Sequence, residues 1–540
     1  SKLALLLLLK ILHVPAQLGF YVCVPGIIVC AVMFLPVVIV TLFRNVHRVR
    51  LSQPIELLRS GNTGEREPKA KWLMALVGFL CLGSGYYIAV TTKSPVTALG
   101  LFFAAVLLVM AGTYLLFTAG SIAVLKVMRW KKSFYYKTKN FTSISGMIYR
   151  MKQNAMGLAS ICILSTGVLL MLSTTVSLNM GIENSLSDMF PYDAGFTFNN
   201  VTFEEVPRLR NAFDEAVEKE KVPYEEKVTQ VILDISIARN GNNMEILTRD
   251  TAASANVEYL TVVPEEEYEK ISGKTVELKP GEILAFQENG GKGDIALNGV
   301  DYKVKEWLEE KPTYDRGNNI FYKTTIVVTK EDLQKMDALQ KELVGKDRGY
   351  LKLEFGLYIE GGKEADIKYG NLLQEDLAPL AETLQAEDGD MTPWFRYNIR
   401  EEHYSSFYTL NGGLLFLGIF LGFIFLVGAG MIIYYKQMSE GYEDKDRFEI
   451  MQKVGMSRKE VKSAIRRQIL MVFFLPLLMA VLHIIMAFPM ISRLLGLLGM
   501  MNTELYILCT AGTIVVFAVI YAAIYMCTAK SYYKIVERRG

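Results

Sequence analysis

Seven stretches of this 540-residue chain, near 20–43, 73–92, 98–125, 154–178, 408–435, 469–491 and 504–528, are apolar and almost free of charge. A hydrocarbon core about 30 Å thick needs roughly 20 such residues in a helix, so each block is long enough to cross a membrane. Half the residues are hydrophobic (51%) and the mean hydropathy is +0.24, where a soluble chain of this size would be negative. The sequence therefore predicts a polytopic α-helical membrane protein.

The flanks of these blocks orient them. Arg44, Arg48 and Arg50 follow the first; Lys126, Arg129, Lys131 and Lys132 follow the third. Residues 436–467 and the tail with Lys530, Lys534, Arg538 and Arg539 are basic as well, whereas the turn at 91–95 has only Lys93. Basic ends face the cytoplasm, and one topology satisfies every loop: residues 183–407 outside the membrane, the C-terminus inside. The net charge of +2 conceals a separation, because 45 of the 56 acidic residues but 26 of the 58 basic ones fall within 183–407. That region is strongly anionic, and nothing in it marks nucleic acid as a partner. Cys23, Cys30, Cys81, Cys162, Cys509 and Cys527 all lie in or beside the blocks, which leaves the polar region without a disulfide framework.

The domain layout follows. Residues 1–50 read as the end of one membrane half, 51–72 as a cytoplasmic linker, 73–125 as a transmembrane hairpin and 126–153 as a linker with a lead-in helix. Residues 154–182 open a second half, 183–407 form the extracellular domain, 408–435 is a span, 436–468 a cytoplasmic coupling region, and 469–540 the last two spans and tail. Ser1-Lys2-Leu3 with its Leu-rich stretch resembles Ser492-Arg493-Leu494-Leu495 before the last span. This predicts two related halves, each closing with an outer interfacial helix, the first lacking its earlier spans. The polar region alternates β-branched runs (228–237, 320–329, 350–359) with helical spacing (203–220, 331–344, 372–386), so it is expected to be a mixed α/β domain. Thr202 and Glu205 stand as a capping box. Gly290–Gly293 and Gly361-Gly362 read as turns, not phosphate loops.

Energy sources narrow next. Ion-driven transport needs ionisable groups at membrane depth, and the blocks supply only His483, whose expected role is a bond to a neighbouring helix. Gly83-Ser84-Gly85 lacks the glycine two places before serine that intramembrane proteases carry, and small residues there serve helix packing. No zinc, Walker or kinase motif is present, so catalysis on this chain and a metal site are not expected and energy must come from a partner.

The segment from Ser439 to Glu460 points to that partner. Phe448, Met451 and Val454 make an apolar stripe of about two turns, which Gly455 can end in the left-handed conformation. Met456 follows, and Ser457 with Glu460 opens the next helix as a capping box. Glu443, Asp444, Asp446, Arg447 and Glu449 flank the stripe, and the four acids among them would be repelled by an anionic leaflet. A short helix held crosswise beneath the membrane and docked on a protein is the expectation.

The run from Glu440 to Val461, with Glu449-Ile450-Met451-Gln452-Lys453-Val454-Gly455-Met456-Ser457-Arg458-Lys459-Glu460-Val461, resembles the coupling helix of FtsX-like ABC permeases, of the bacitracin and peptide-antibiotic resistance type. Pro54-Ile55-Glu56-Leu57-Leu58 resembles the family's exit motif, and Ser145 to Asn154 its lead-in to the second half. The resemblance implies about ten spans in the full chain, of which this one holds about seven, with ATP and Mg bound by a separate ATP-binding subunit present in two copies and no cofactor here. It implies a coupling site at Glu443, Asp446, Arg447, Phe448, Glu449, Met451, Val454, Gly455, Met456 and Ser457, and further partners: a sensor histidine kinase, a peptide antibiotic or lipid-linked cell-wall precursor, and membrane lipid. Relatives that extract lipoproteins or lipids, or that transmit force to wall hydrolases, are the alternatives; their simpler members lack the hairpin at 73–125.

Overall fold

The computed structural model describes residues 24–51, 71–92, 94–136, 138–248, 257–287, 290–313, 322–344, 349–388, 395–453, 455, 457–500 and 502–537. Within them, seven helices are long and apolar enough to cross a membrane, and they coincide with the seven blocks. They are α1 (Val24–Leu51), α2 (Trp72–Thr91), α3 (Pro95–Leu115), α6 (Thr138–Met180), α12 (Arg400–Lys453), α13 (Arg458–Leu497) and α14 (Thr503–Glu537). One π-helical turn, Leu116–Gly120, carries α3 on into α4 (Ser121–Trp130), and the short α5 (Lys132–Tyr135) follows. The chain is a polytopic membrane protein with a separate mixed α/β domain.

Glycine decides how closely the hairpin packs. A Cβ on Gly112 would stand 2.7 Å from Leu82 N and 3.0 Å from Gly78 O, and one on Gly85 would meet Val109 Cγ2 at 2.7 Å. Gly85 is thus a packing residue, as the Gly-Ser-Gly run predicts, and Ser84 is exposed. The hairpin is pinned to α13 by His483, which is 3% exposed. Tyr86 Oη lies 2.6 Å from its Nδ1 and Thr113 Oγ1 3.1 Å from its Nε2. Both ring nitrogens are satisfied, so the histidine joins three helices, as expected for a membrane polar residue.

α6 and α12 run antiparallel in close contact, Gly157 facing Ile432, Gly167 facing Phe425, Gly422 facing Leu172 and Gly418 facing Thr175. Small residues at these places let the two backbones approach where lipid gives no hydrophobic push. Between the helices the chain makes α7 (Ile182–Met189) and then the sheet domain.

The sheet has ten strands in the order β10-β1-β9-β2-β3-β6-β7-β5-β8-β4, and a further β2–β4 pairing closes part of it into a ring. The strands are β1 (Ala194–Val201), β2 (Tyr224–Asn240), β3 (Asn243–Ile246), β4 (Val257–Pro264), β5 (Glu282–Gln287), β6 (Ile295–Leu297), β7 (Val300–Trp307), β8 (Tyr322–Val328), β9 (Leu351–Ile359) and β10 (Phe395–Ile399). Alternation in β1 and β9 sends Phe196, Phe198, Leu353 and Phe355 into a core closed by α8 (Glu205–Lys219), α10 (Lys330–Val344) and α11 (Lys363–Asp388); α9 (Glu265–Ser272) packs elsewhere on the sheet. The expected strands and helices are all present. Half of the expected capping box is seen, since Glu205 Oε2 accepts from Thr202 N at 2.9 Å. Gly290, Gly293, Gly361 and Gly362 have positive φ, as turn residues should.

Two expectations fail. The coupling segment is not a separate crosswise helix: α12 continues from its span to Lys453 without a break. No proline stands between 436 and 453, and Gly441, the weakest helix former there, is held by packing against Tyr532. Nor do residues 492–497 form their own interfacial helix, because α13 carries straight through Pro489 to Leu497. The first copy of the repeat, with Cys23, and the motif at 54–58 lie outside the described residues.

Candidate functional site

After Tyr435, α12 enters a stretch of good helix formers (Lys, Gln, Met, Glu) and projects past the apolar part of its span. Its residues at spacings of three and four, Gln437, Glu440, Gly441 and Asp444, face inward, with Gln437 at 2%, Glu440 at 5% and Asp444 at 5% exposure. Buried carboxylates demand hydrogen bonds, and two other helices provide them. Asn154 of α6 donates from Nδ2 to Glu440 Oε1. Tyr532 of α14 donates from its hydroxyl to Asp444 Oδ2 at 2.6 Å. A Cβ on Gly441 would meet the Tyr532 ring at 3.2 Å, so the absent side chain lets α12 and α14 close on each other. The projecting part of α12 is thereby tied to both neighbours through groups shielded from water.

Beyond this girdle, α12 presents Tyr442 and Glu443 to the outside. The backbone of Asp446, Arg447, Phe448, Glu449 and Met451 is helical in α12, and these residues continue its last two turns. Val454 and Met456 lie outside the described residues. Gly455 is exposed with φ of 109°, the left-handed ending that its position predicts. Ser457 immediately precedes α13. The described members of the sequence-derived set therefore share one segment at the tip of α12 and the turn after it. What the sequence reading missed is the girdle above them. Its signal is the series Gln437, Glu440, Asp444, polar residues on a single helical face directly after a span, where a solvated loop would place them on every side.

The other end of α12 meets the sheet domain through a compact neck. Arg400, its first residue, donates from Nε to Phe190 O (2.8 Å), from Nη1 to Asp193 Oδ1 (3.0 Å) and from Nη2 to Pro191 O. Asp193 Oδ2 in turn accepts from Ile359 N at 2.9 Å. His403 stacks flat on Phe190, ring centres 4.2 Å apart. One guanidinium thus clamps the chain's way into the domain to its way out. A single helix connects this clamp to the girdle and the exposed tip.

Comparison with known proteins places this architecture. The FtsX-like permease C-terminal family matches residues 419–535, which include the girdle residues Gln437, Glu440, Asp444 and Tyr532 together with the tip. The C-terminal part of the chain carries an FtsX-like permease domain. Over 99% of its length the chain is 22% identical to an uncharacterised ABC transporter permease of Bacillus subtilis, YvcS, and spans 79% of that protein. It is 24% identical over 81% of its length to the B. subtilis ABC transporter permease YxdM, spanning 65% of it. It is 22% identical over 89% of its length to the bacitracin export permease BceB of the same organism, spanning 73% of it. An ABC permease implies an ATP-binding partner subunit. Among the described residues no group of three or more His, Cys, Asp or Glu side chains is placed to hold a metal ion.

Proposed function

We propose that this permease uses ATP hydrolysis by a partner subunit, present in two copies and docked on the tip of α12, to remove peptide antibiotics from the outer face of a bacterial plasma membrane. ATP and Mg belong to the partner; this chain supplies movement and no catalytic group. The observation that carries the reading is α12 itself, one 54-residue helix from the Arg400 clamp to the turn at Gly455. Displacement of the tip is transmitted to the neck without an intervening hinge, and α6, locked alongside it, moves too. The sheet domain lies outside and the basic helix ends inside. Its acidity, 45 acidic against 26 basic residues over 183–407, raises the local concentration of cationic peptides and speeds their capture. The domain also serves as the detector whose state a sensor histidine kinase reads.

Two measurements test this. Met451→Glu puts a charge in the docking stripe and Gly455→Pro removes the left-handed turn; both are expected to abolish co-purification of the ATP-binding subunit while the permease still inserts. Retention at wild-type level sinks the docking site. A deletion strain is expected to become hypersensitive to a bacitracin-like peptide, and a lipoprotein-sorting or division defect without hypersensitivity would move the assignment to the other permease classes.

A further inference from the structure

A cleft of about 600 Å³ opens between the hairpin, α6 and α13, with an almost wholly apolar wall. Gly120, Leu125, Met151, Leu470, Phe474 and Leu478 line it. The π turn Leu116–Gly120 makes the recess, since the extra residue shifts the helix face and Gly120 leaves the space without a side chain. Its size falls within the ~300–1,000 Å³ typical of small-molecule sites.

Three features fix what would fill it. Trp72 and Trp130 stack at 5.9 Å and are exposed at one end of the hairpin, as aromatic residues of a membrane interface are. Leu125 precedes Trp130 by five residues and so lies roughly 7.5 Å deeper along the helix, in the upper acyl region. At the interface level the sequence is one-signed: residues 121–153 hold eight Lys or Arg and no Asp or Glu. Lys131 and Lys132 are exposed, Arg129 stands one turn beyond Leu125, and Arg466 stands one turn before Leu470 in α13. An apolar slot below a cluster of cations matches one chemistry, a chain of hydrocarbon attached to an anionic headgroup.

We infer that the cleft is a specific site for an anionic phospholipid, one acyl chain lying against Gly120, Phe474 and Leu478 and the phosphate held by Arg129, Lys131 and Lys132. The site lies in the leaflet at the basic end of the helices, at the end of α12 that bears the girdle and opposite the sheet domain. Occupancy would brace the hairpin against α13, supplementing the His483 contact deeper in the membrane.

The test uses the full 540-residue chain reconstituted in vesicles of dioleoyl phosphatidylglycerol or dioleoyl phosphatidylcholine, each doped with its own diazirine-tailed analogue. Labelled peptides are mapped after irradiation. Segments 116–125 and 470–479 are expected to take label from phosphatidylglycerol about fivefold or more over phosphatidylcholine, the order expected for a lysine or arginine near an anionic surface. Leu478→Trp, which fills the cleft, and independently Gly120→Leu should remove that labelling. Arg129→Gln with Lys131→Gln and Lys132→Gln should bring the two lipids to equal labelling while the phosphatidylcholine signal stays. Equal labelling by both lipids in the wild-type chain would mean ordinary annular lipid and overturn the proposal. So would a disulfide between native Cys30 of α1 and an introduced Val124→Cys, because α1, none of whose residues 24–47 is buried, would then be what covers the cleft.

Discussion

Asp366 shows how one buried carboxyl can make the neck sensitive to pH. It is 8% exposed, and burial, with Asp193 and Glu401 nearby, pushes its pKa from 3.8 up to about 6. A group that holds its proton more tightly when folded makes no difference below the unfolded value and lowers stability as pH rises from 3.8 towards 6. Above that range the penalty is constant. Asp366→Asn carries no charge at any pH, so the variant is expected to melt higher than wild type at pH 7.5 and together with it near pH 4; a gap of equal size at both would show that the charge is not the cause. Tyr86 poses a different question. Tyr86→Phe deletes the 2.6 Å bond to His483 and leaves the Thr113 contact, and membrane hydrogen bonds of this kind average only about 0.6 kcal/mol. Unfolding in mixed micelles should register a loss of that order, and a loss several times larger would mean that the histidine clamp organises the whole hairpin.

The hairpin isolates what a glycine does for a pair of elements. A side chain at Gly112 would strike backbone atoms of α2, which cannot rotate away, whereas Gly83 and Gly100 have nothing within 4 Å. Gly112→Val should therefore cost about 1–3 kcal/mol and separate α2 from α3, read as loss of a disulfide engineered across the pair, while Gly83→Ala and Gly100→Ala leave it intact. Elements of this length were legible in the sequence because a membrane imposes one rule on every residue of a span, so composition alone located all seven. The strands at 228–237 and, to a lesser degree, 350–359 were legible from their β-branched residues, which suit a pleated and buried surface. Helix ends were not. Whether a helix stops at Tyr435 or continues to Lys453 depends on what the next turns can pack against, and that partner, Tyr532, lies almost 100 residues further along the chain. The same holds at residues 492–497, where contact with the rest of the bundle keeps α13 helical past a proline.

At the scale of the molecule, α12 has two fastened ends and a membrane between them, and the fastening at its tip end is the part that sequence reasoning passed over. A motif search finds the proposed docking stripe because it is a linear pattern of Phe448, Met451 and Val454; the girdle joins Asn154, Glu440, Asp444 and Tyr532, which are close only in the folded bundle. If α12 drives α6 and α14 through these bonds, weakening the girdle should separate docking from coupling. Tyr532→Phe removes the 2.6 Å donor of Asp444 without touching the exposed tip, and Asn154→Leu removes the donor to Glu440. Each lost bond to a charged group is worth about 1.5–3 kcal/mol, enough to loosen the tie tenfold or more. The expected phenotype is an assembled complex in which the ATP-binding subunit co-purifies normally and hydrolyses ATP at its basal rate, while stimulation of that rate by peptide falls about tenfold. Asp444→Asn, which can still accept from the tyrosine hydroxyl, should be milder than Tyr532→Phe. Stimulation unchanged in both Tyr532→Phe and Asn154→Leu would mean that α12 moves without α6 and α14, and that the lever is a single helix.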